Sequence, residues 1–119
     1  MNQRKELELS QWRSEAELNL LAGILWHARR DSDLAEDVLS IFKPDMWLDP
    51  KCNTTVKAIR QMVEEGEEAH LDLVCARVLS EICGASIWLA EIFERGESFI
   101  GPSTVRHAAE KLFCEHVNA

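Results

Sequence analysis

The chain is short of cations. It holds 13 Lys and Arg against 21 Asp and Glu, for a net charge of -8. Tight nucleic-acid binding needs cations that displace phosphate counterions, so the balance argues against direct binding of DNA or RNA. The basic candidates are Arg4, Lys5 and Arg13 near the start and Arg29 with Arg30, too sparse to make a patch. No apolar run approaches the roughly 20 residues that span a bilayer. The N-terminal MNQRKELELS is polar, so no secretory leader is read there. Cys52, Cys75, Cys83 and Cys114 include no Cys-x-x-Cys pair. Each is assigned to an apolar-periodic helical segment, which predicts reduced core thiols in a cytoplasmic protein. The five glycines are isolated, and no Gly-x-x-x-x-Gly-Lys-Ser/Thr loop exists to cradle phosphates. Nucleotide hydrolysis is therefore not expected. No stretch alternates with period two over a strand's length, and no repeat is present.

What is there is helical periodicity in a chain of 119 residues, 46% hydrophobic, enough for one domain with a real core. The clearest helix lies within Asp49–Gly66. Asp49 is placed to cap it and Pro50 to start it. Cys52, Val56, Ile59 and Val63 make its apolar stripe, and Gly66 suits its left-handed end. Residues 1–13 read as a polar tail or short extra turn, and residues 14–117 as the domain. Ser14 and Glu17 have the form of a capping box that opens the first helix. Its Leu18, Leu20, Leu21, Ile24 and Leu25 predict burial on more than one side. Gly23 within it predicts close approach of another backbone. A second helix is expected over Asp33–Phe42, capped by Asp31 or Ser32. Met46, Trp47 and Leu48 form an apolar plug. Asp72 is expected to cap a helix to Ile82, with Val74 or Cys75, Val78, Leu79 and Ile82 inward. Gly84 is expected to end it. A further helix over Ala85–Glu94 carries Ile87, Trp88, Ile92 and Phe93 and is closed by Gly96. The last starts at Pro102 and Ser103, with Val105, Ala109, Leu112, Phe113 and His116 on one side. The predicted architecture is all-α, a compact orthogonal bundle of about seven short helices.

Reactive constellations are thin. His27, His70, His107 and His116 lack a second His or Cys at ligand spacing on the same helix face. A zinc site from Cys75, Cys83 and His70 would lack the close Cys pairs that structural zinc favours. Thr104 and His107 are three apart but have no third orienting group. Thr54 and Thr55 read as a helix surface and its flank, and Glu64–Glu68 as a solvated turn. Neither catalytic residues nor a cofactor or metal is assigned. Four tryptophans are many for this length. Trp47 and Trp88 read as core. Trp12 and Trp26 are candidates for a partner-facing patch, since Trp is enriched at binding hot spots. Arg106 and Lys111 on the last helix complete the candidate partner-binding set.

Taken in order, these pieces resemble the N-terminal domain of DnaB-like replicative DNA helicases, possibly of phage type. The matching residues are Glu17, Leu20, Leu21, Gly23, Ile24 and Leu25. They continue with Pro44–Leu48, Ala58-Ile59, Gly66, Leu71–Val74, then Gly84, Trp88, Leu89 and Ile92, and finally His107-Ala108-Ala109. The series covers about Ser14 to Val117. It departs from the family where Trp47-Leu48 replace an aromatic pair, Cys52 a His and Trp88 a Tyr. The resemblance implies a non-catalytic collar domain that serves oligomerisation and docking in DNA replication. Its partners would be the helicase motor or other helicase subunits, with primase or a helicase loader, plus weak homodimerisation. No membrane and no direct nucleic acid is expected. The chain ends where the family continues into a helical hairpin and a motor, which favours an excised fragment. A free-standing collar mimic that modulates a host helicase or primase is the alternative. Other classes are an unrelated small helical regulatory or DNA-binding domain, and an enzyme using His107 or a cysteine-bound metal.

Overall fold

A helix that is apolar on every side belongs in the middle of a core, and α1, Gln3–His27, contains such a stretch. Leu20, Leu21, Ala22, Ile24 and Leu25 are consecutive or nearly so, and all are buried. The computed structural model describes the backbone of residues 3–118 and the side chains of residues 11–118. Within them the chain is all-helical. After α1 come α2 (Leu34–Ile41), a single 3-10 turn (Pro44–Met46) and α3 (Pro50–Glu64). Then follow α4 (Leu71–Val78), α5 (Ala85–Arg95), a second 3-10 turn (Gly96–Ser98) and α6 (Pro102–Val117). The all-α class is as expected, but in place of about seven short helices the described residues form six, the first 25 residues long, with two 3-10 turns.

The helix with the best end signals is not the central one. α1 packs against α5, α6, α2 and α3, while α3 lies between α2 and α4, and α4 leans on α5. The local signals of α3 are realised. The Asp49 carboxylate accepts the Cys52 N–H at 3.0 Å, and Cys52, Val56 and Ile59 are fully buried. Gly66 takes φ +80°, which a side chain would oppose. Thr55, expected on the surface, is buried too, its hydroxyl donating to the Lys51 carbonyl at 2.8 Å.

Ser14 does not open a helix. Residues from Gln3 are already helical, so the Ser14 N–H belongs to the helix ladder and no orphan donor remains for a capping box. The expected tail is helical from Gln3; Met1, Asn2 and Ala119 lie outside the described residues. Asp72 does not cap α4 either. His70 precedes the helix, and Asp72 sits in its first turn, where its charge faces the positive helix end. α4 stops at Val78, so Ile82 is buried from the following turn rather than from the helix. The 3-10 plug is Met46 and Trp47 without Leu48, which projects outward at 62% exposure. Trp47 is buried, its indole N–H donating to the Phe42 carbonyl at 3.0 Å.

Two glycines set how closely α1 is approached. A Cβ on Gly23 would meet the side chains of Phe99 and Val105 at 3.0 Å, so its neighbours are side chains and not a backbone. The backbone approach occurs at Gly96, where a Cβ would lie 2.4 Å from the Ala22 carbonyl oxygen and 2.3 Å from the Trp26 Cβ. Gly96 takes φ -63°, so contact and not a left-handed turn demands glycine there. The cysteines divide. Cys52 is buried and Cys75 half-buried, but Cys83 and Cys114 are exposed. Cys83 lies in the turn between α4 and α5, where no helix face holds it inward.

Candidate functional site

The most connected polar group is built on Arg13 and Glu17 of α1. They pair at 2.8 Å, one helical turn apart, with Glu17 fully buried. The Glu17 carboxylate also accepts the backbone N–H groups of Leu48, at 3.0 Å, and Asp49, at 2.9 Å. Ser14 donates its hydroxyl to Asp49 at 2.9 Å. Arg13 donates further to the Met46 carbonyl at 2.8 Å and to His116 Nδ1 at 3.0 Å. Its guanidinium lies 5.1 Å from the Phe42 ring centroid. One side chain thus joins α1, the loop before α3 and the last turn of α6. Each of these Glu17 bonds ties together segments of the fold, so the cluster is a joint between them. Next to it the Cys52 thiol is pushed far above its ordinary range by burial, with the negative charges of Asp49 and Glu17 adding to the effect. That makes it a poor nucleophile.

The sequence-predicted partner residues are dispersed. Trp12 on α1 is 46% exposed. Trp26 is half-buried, its ring 4.8 Å from that of Phe93. Arg106 is committed within the chain. Its guanidinium pairs with Asp31 at 2.8 Å and with Asp37 at 2.6 Å, tying α6 to α2. The hydrogen bond from Arg106 holds the Asp31 carboxyl below its usual value. Lys111 is exposed on α6. Trp88, expected in the core, is half-buried, with the Lys51 ammonium 5.6 Å from its ring centroid. The Thr104 hydroxyl donates to the Gly101 carbonyl at 2.6 Å, and His107 is exposed. His27 is buried, with Nε2 3.2 Å from the Phe99 carbonyl. Among the described residues no three His, Cys, Asp or Glu side chains gather as a metal site.

Surface apolar groups are the feature that periodicity misplaced. Leu79, expected inward, is exposed. So are Ile87, which its helix was expected to carry with the buried Ile92, and Phe113, expected on one side with the buried Val105, Ala109 and Leu112. Leu48, Leu73, Ile100 and Val117 join them. The signal for Ile87 was available. It lies two residues before the buried Leu89, roughly 200° around the helix and so on the opposite face. Two concave regions flank α4 and α5. One, of 690 Å³, lies between α3 and α4 and is polar, lined by residues that include Asn53, Lys57, Gln61, Arg77 and Glu81. The other, of 340 Å³, runs along α5 beside Ser86, Ile87, Ala90, Glu91 and Glu94. No helix among the described residues is long and apolar enough to cross a membrane. Comparison with known protein families, curated proteins and solved structures returned no match.

Proposed function

We propose that this chain is a non-catalytic docking domain of the kind that forms the N-terminal collar of DnaB-like replicative helicases. The observation that carries the reading is where large apolar side chains meet solvent. Trp12 stands on the first helix, Phe113 and Val117 on the last, and Leu79 and Ile87 around the α4–α5 turn. Exposed apolar groups of this size on a small helical body suit protein contact. The polar groups that could have been reactive are tied up in the fold: Arg13 with Glu17, Arg106 with Asp31 and Asp37, and Thr104 on its own turn. The ordered resemblance over Ser14–Val117 supplies the biological setting. On this reading the orthogonal helical bundle is of the collar type and works in the cytoplasm beside the replication machinery. The chain pairs weakly with itself through α1 and α6, and it docks a helicase subunit, a primase or a loader.

Titration of the purified chain against purified DnaB-type helicase, primase and loader, followed by calorimetry, tests the proposal. Binding to one of them at micromolar concentration is the expected result. Absence of binding to all three overturns the helicase reading. The free-standing mimic shares the same surface; a change in helicase unwinding rate on addition of the chain is the result that favours it.

A further inference from the structure

α4 and α5 pack on one another, and each carries an outward apolar face that the core does not use. On α4 and the residue that caps its end, Leu73, Ala76 and Leu79 are exposed at intervals of three, opposite the buried Val74 and Val78. On α5, Ile87 and Ala90 are exposed at the same interval, opposite the buried Ala85, Leu89 and Ile92. Among the described side chains, Ile87 at 69% is the most exposed large apolar group within a helix. The charges of the hairpin that are not committed to ion pairs are acidic, and Glu91 and Glu94 line the same hollow as Ile87 and Ala90, while Glu81 shares its hollow with Lys57 of α3. Asp72, Glu81, Glu91 and Glu94 are exposed, and among the described residues none of them is ion-paired. The two cations of the hairpin are already taken. Arg77 pairs with Glu65 and Glu67, and Arg95 with Glu15.

We propose that the outer face of the α4–α5 hairpin docks a basic amphipathic helix of a partner protein. The occupant presents apolar side chains three and four residues apart to Leu73, Leu79, Ile87 and Ala90, and Lys or Arg on its flanks to the carboxylates. Charge selects this occupant over others. A second copy of the chain brings the same carboxylates and a charge of -8, so a self-complementary contact here sets acid against acid. A nucleic acid or an anionic bilayer meets the same repulsion. The proposal rests on the docking reading above and names the chemistry of the partner.

The test uses a fluorescein-labelled peptide of about 18 residues with Leu and Lys at amphipathic helical spacing, and a second with Glu in place of Lys. Fluorescence anisotropy follows binding to the full chain. The Lys peptide binds, and salt weakens it; the Glu peptide does not bind. Ile87→Asp, at an exposed position, keeps the native circular dichroism and lowers affinity about tenfold or more. Glu91→Lys with Glu94→Lys does the same. The equal charge change Glu110→Lys with Glu115→Lys on α6 alters affinity by less than about twofold. Equal loss from both lysine pairs means diffuse charge attraction and overturns the site. So does binding that Ile87→Asp leaves intact, absence of Lys-peptide binding, or self-association that depends on Ile87. If the peptide results fail while a replication protein still binds, only this face is wrong. If that binding fails too, the docking reading falls with it.

Discussion

Arg13 bonds to three separate segments from one side chain: Glu17 on its own helix, the Met46 carbonyl before α3, and His116 at the end of α6. Removing it leaves the buried Glu17 carboxylate with two backbone N–H groups and no counter-charge. Breaking one partner out of a buried pair costs about 3–5 kcal/mol, because the remaining charge keeps its desolvation penalty. Arg13→Ala is therefore expected to lower unfolding free energy by that amount in urea titrations. Arg13→Lys should recover little of it, since an ammonium cannot reproduce the guanidinium fork. A loss below about 1 kcal/mol would mean that water fills the joint without harm. The thiols give a second test at this scale. Burial and two carboxylates hold Cys52 protonated, whereas Cys83 and Cys114 face solvent. A thiol reagent at neutral pH should modify Cys83 and Cys114 quickly and Cys75 more slowly, with Cys52 reacting only on unfolding. Fast labelling of Cys52, located by peptide mapping, would show that the Asp49 cap opens in the native state.

How the helices meet depends on contacts that local sequence signals do not describe. α3 was legible because everything that defines it lies inside it: Asp49 and Pro50 at one end, Gly66 at the other, and a stripe between. The start of α1 was not. Ser14 and Glu17 have the spacing of a capping box, but their partners are Leu48 and Asp49, more than thirty residues away in sequence. Gly96 reads as a helix terminator, yet it is small because α1 lies against it. Gly96→Ala is expected to cost about 3 kcal/mol, as the intruding methyl meets a carbonyl oxygen and a Cβ that cannot rotate away. Gly101→Ala, with nothing within 4 Å of the new Cβ, should be near neutral. Thermal melts of the two variants separate close approach from general glycine replacement. The α2–α6 contact carries a pH signature. Arg106 holds Asp31 below its ordinary value, so the native state favours the ionised carboxylate. That stabilisation is fully present above about pH 4, where an unfolded Asp is ionised, and is lost as pH falls through the lower native value. Asp31→Asn should lower the melting temperature at pH 7, and its gap from wild type should close as pH falls below the ordinary carboxylate range.

Across the whole molecule, a charge of -8 opposes any encounter between two copies, while Trp12, Phe113 and Val117 offer apolar area on the first and last helices. These two influences respond oppositely to salt. Screening weakens the repulsion, and apolar contact is not weakened by it. Self-association of the chain should therefore strengthen between low and physiological ionic strength in sedimentation equilibrium. Phe113→Asp with Val117→Asp should abolish it. Phe113 is 37% exposed and Val117 60%, and both stand near the C-terminal end of α6, so the double variant should also lose about 1–3 kcal/mol of unfolding free energy, and retained native circular dichroism is required alongside the loss of association. An association that weakens with salt would show that ion pairs hold the copies together, and would move the contact away from the apolar ends. A strict monomer at all salt concentrations would remove self-pairing from the collar reading. Hetero-docking through α4 and α5 would then remain, since its acidic rim needs a partner of the opposite charge and not a second copy.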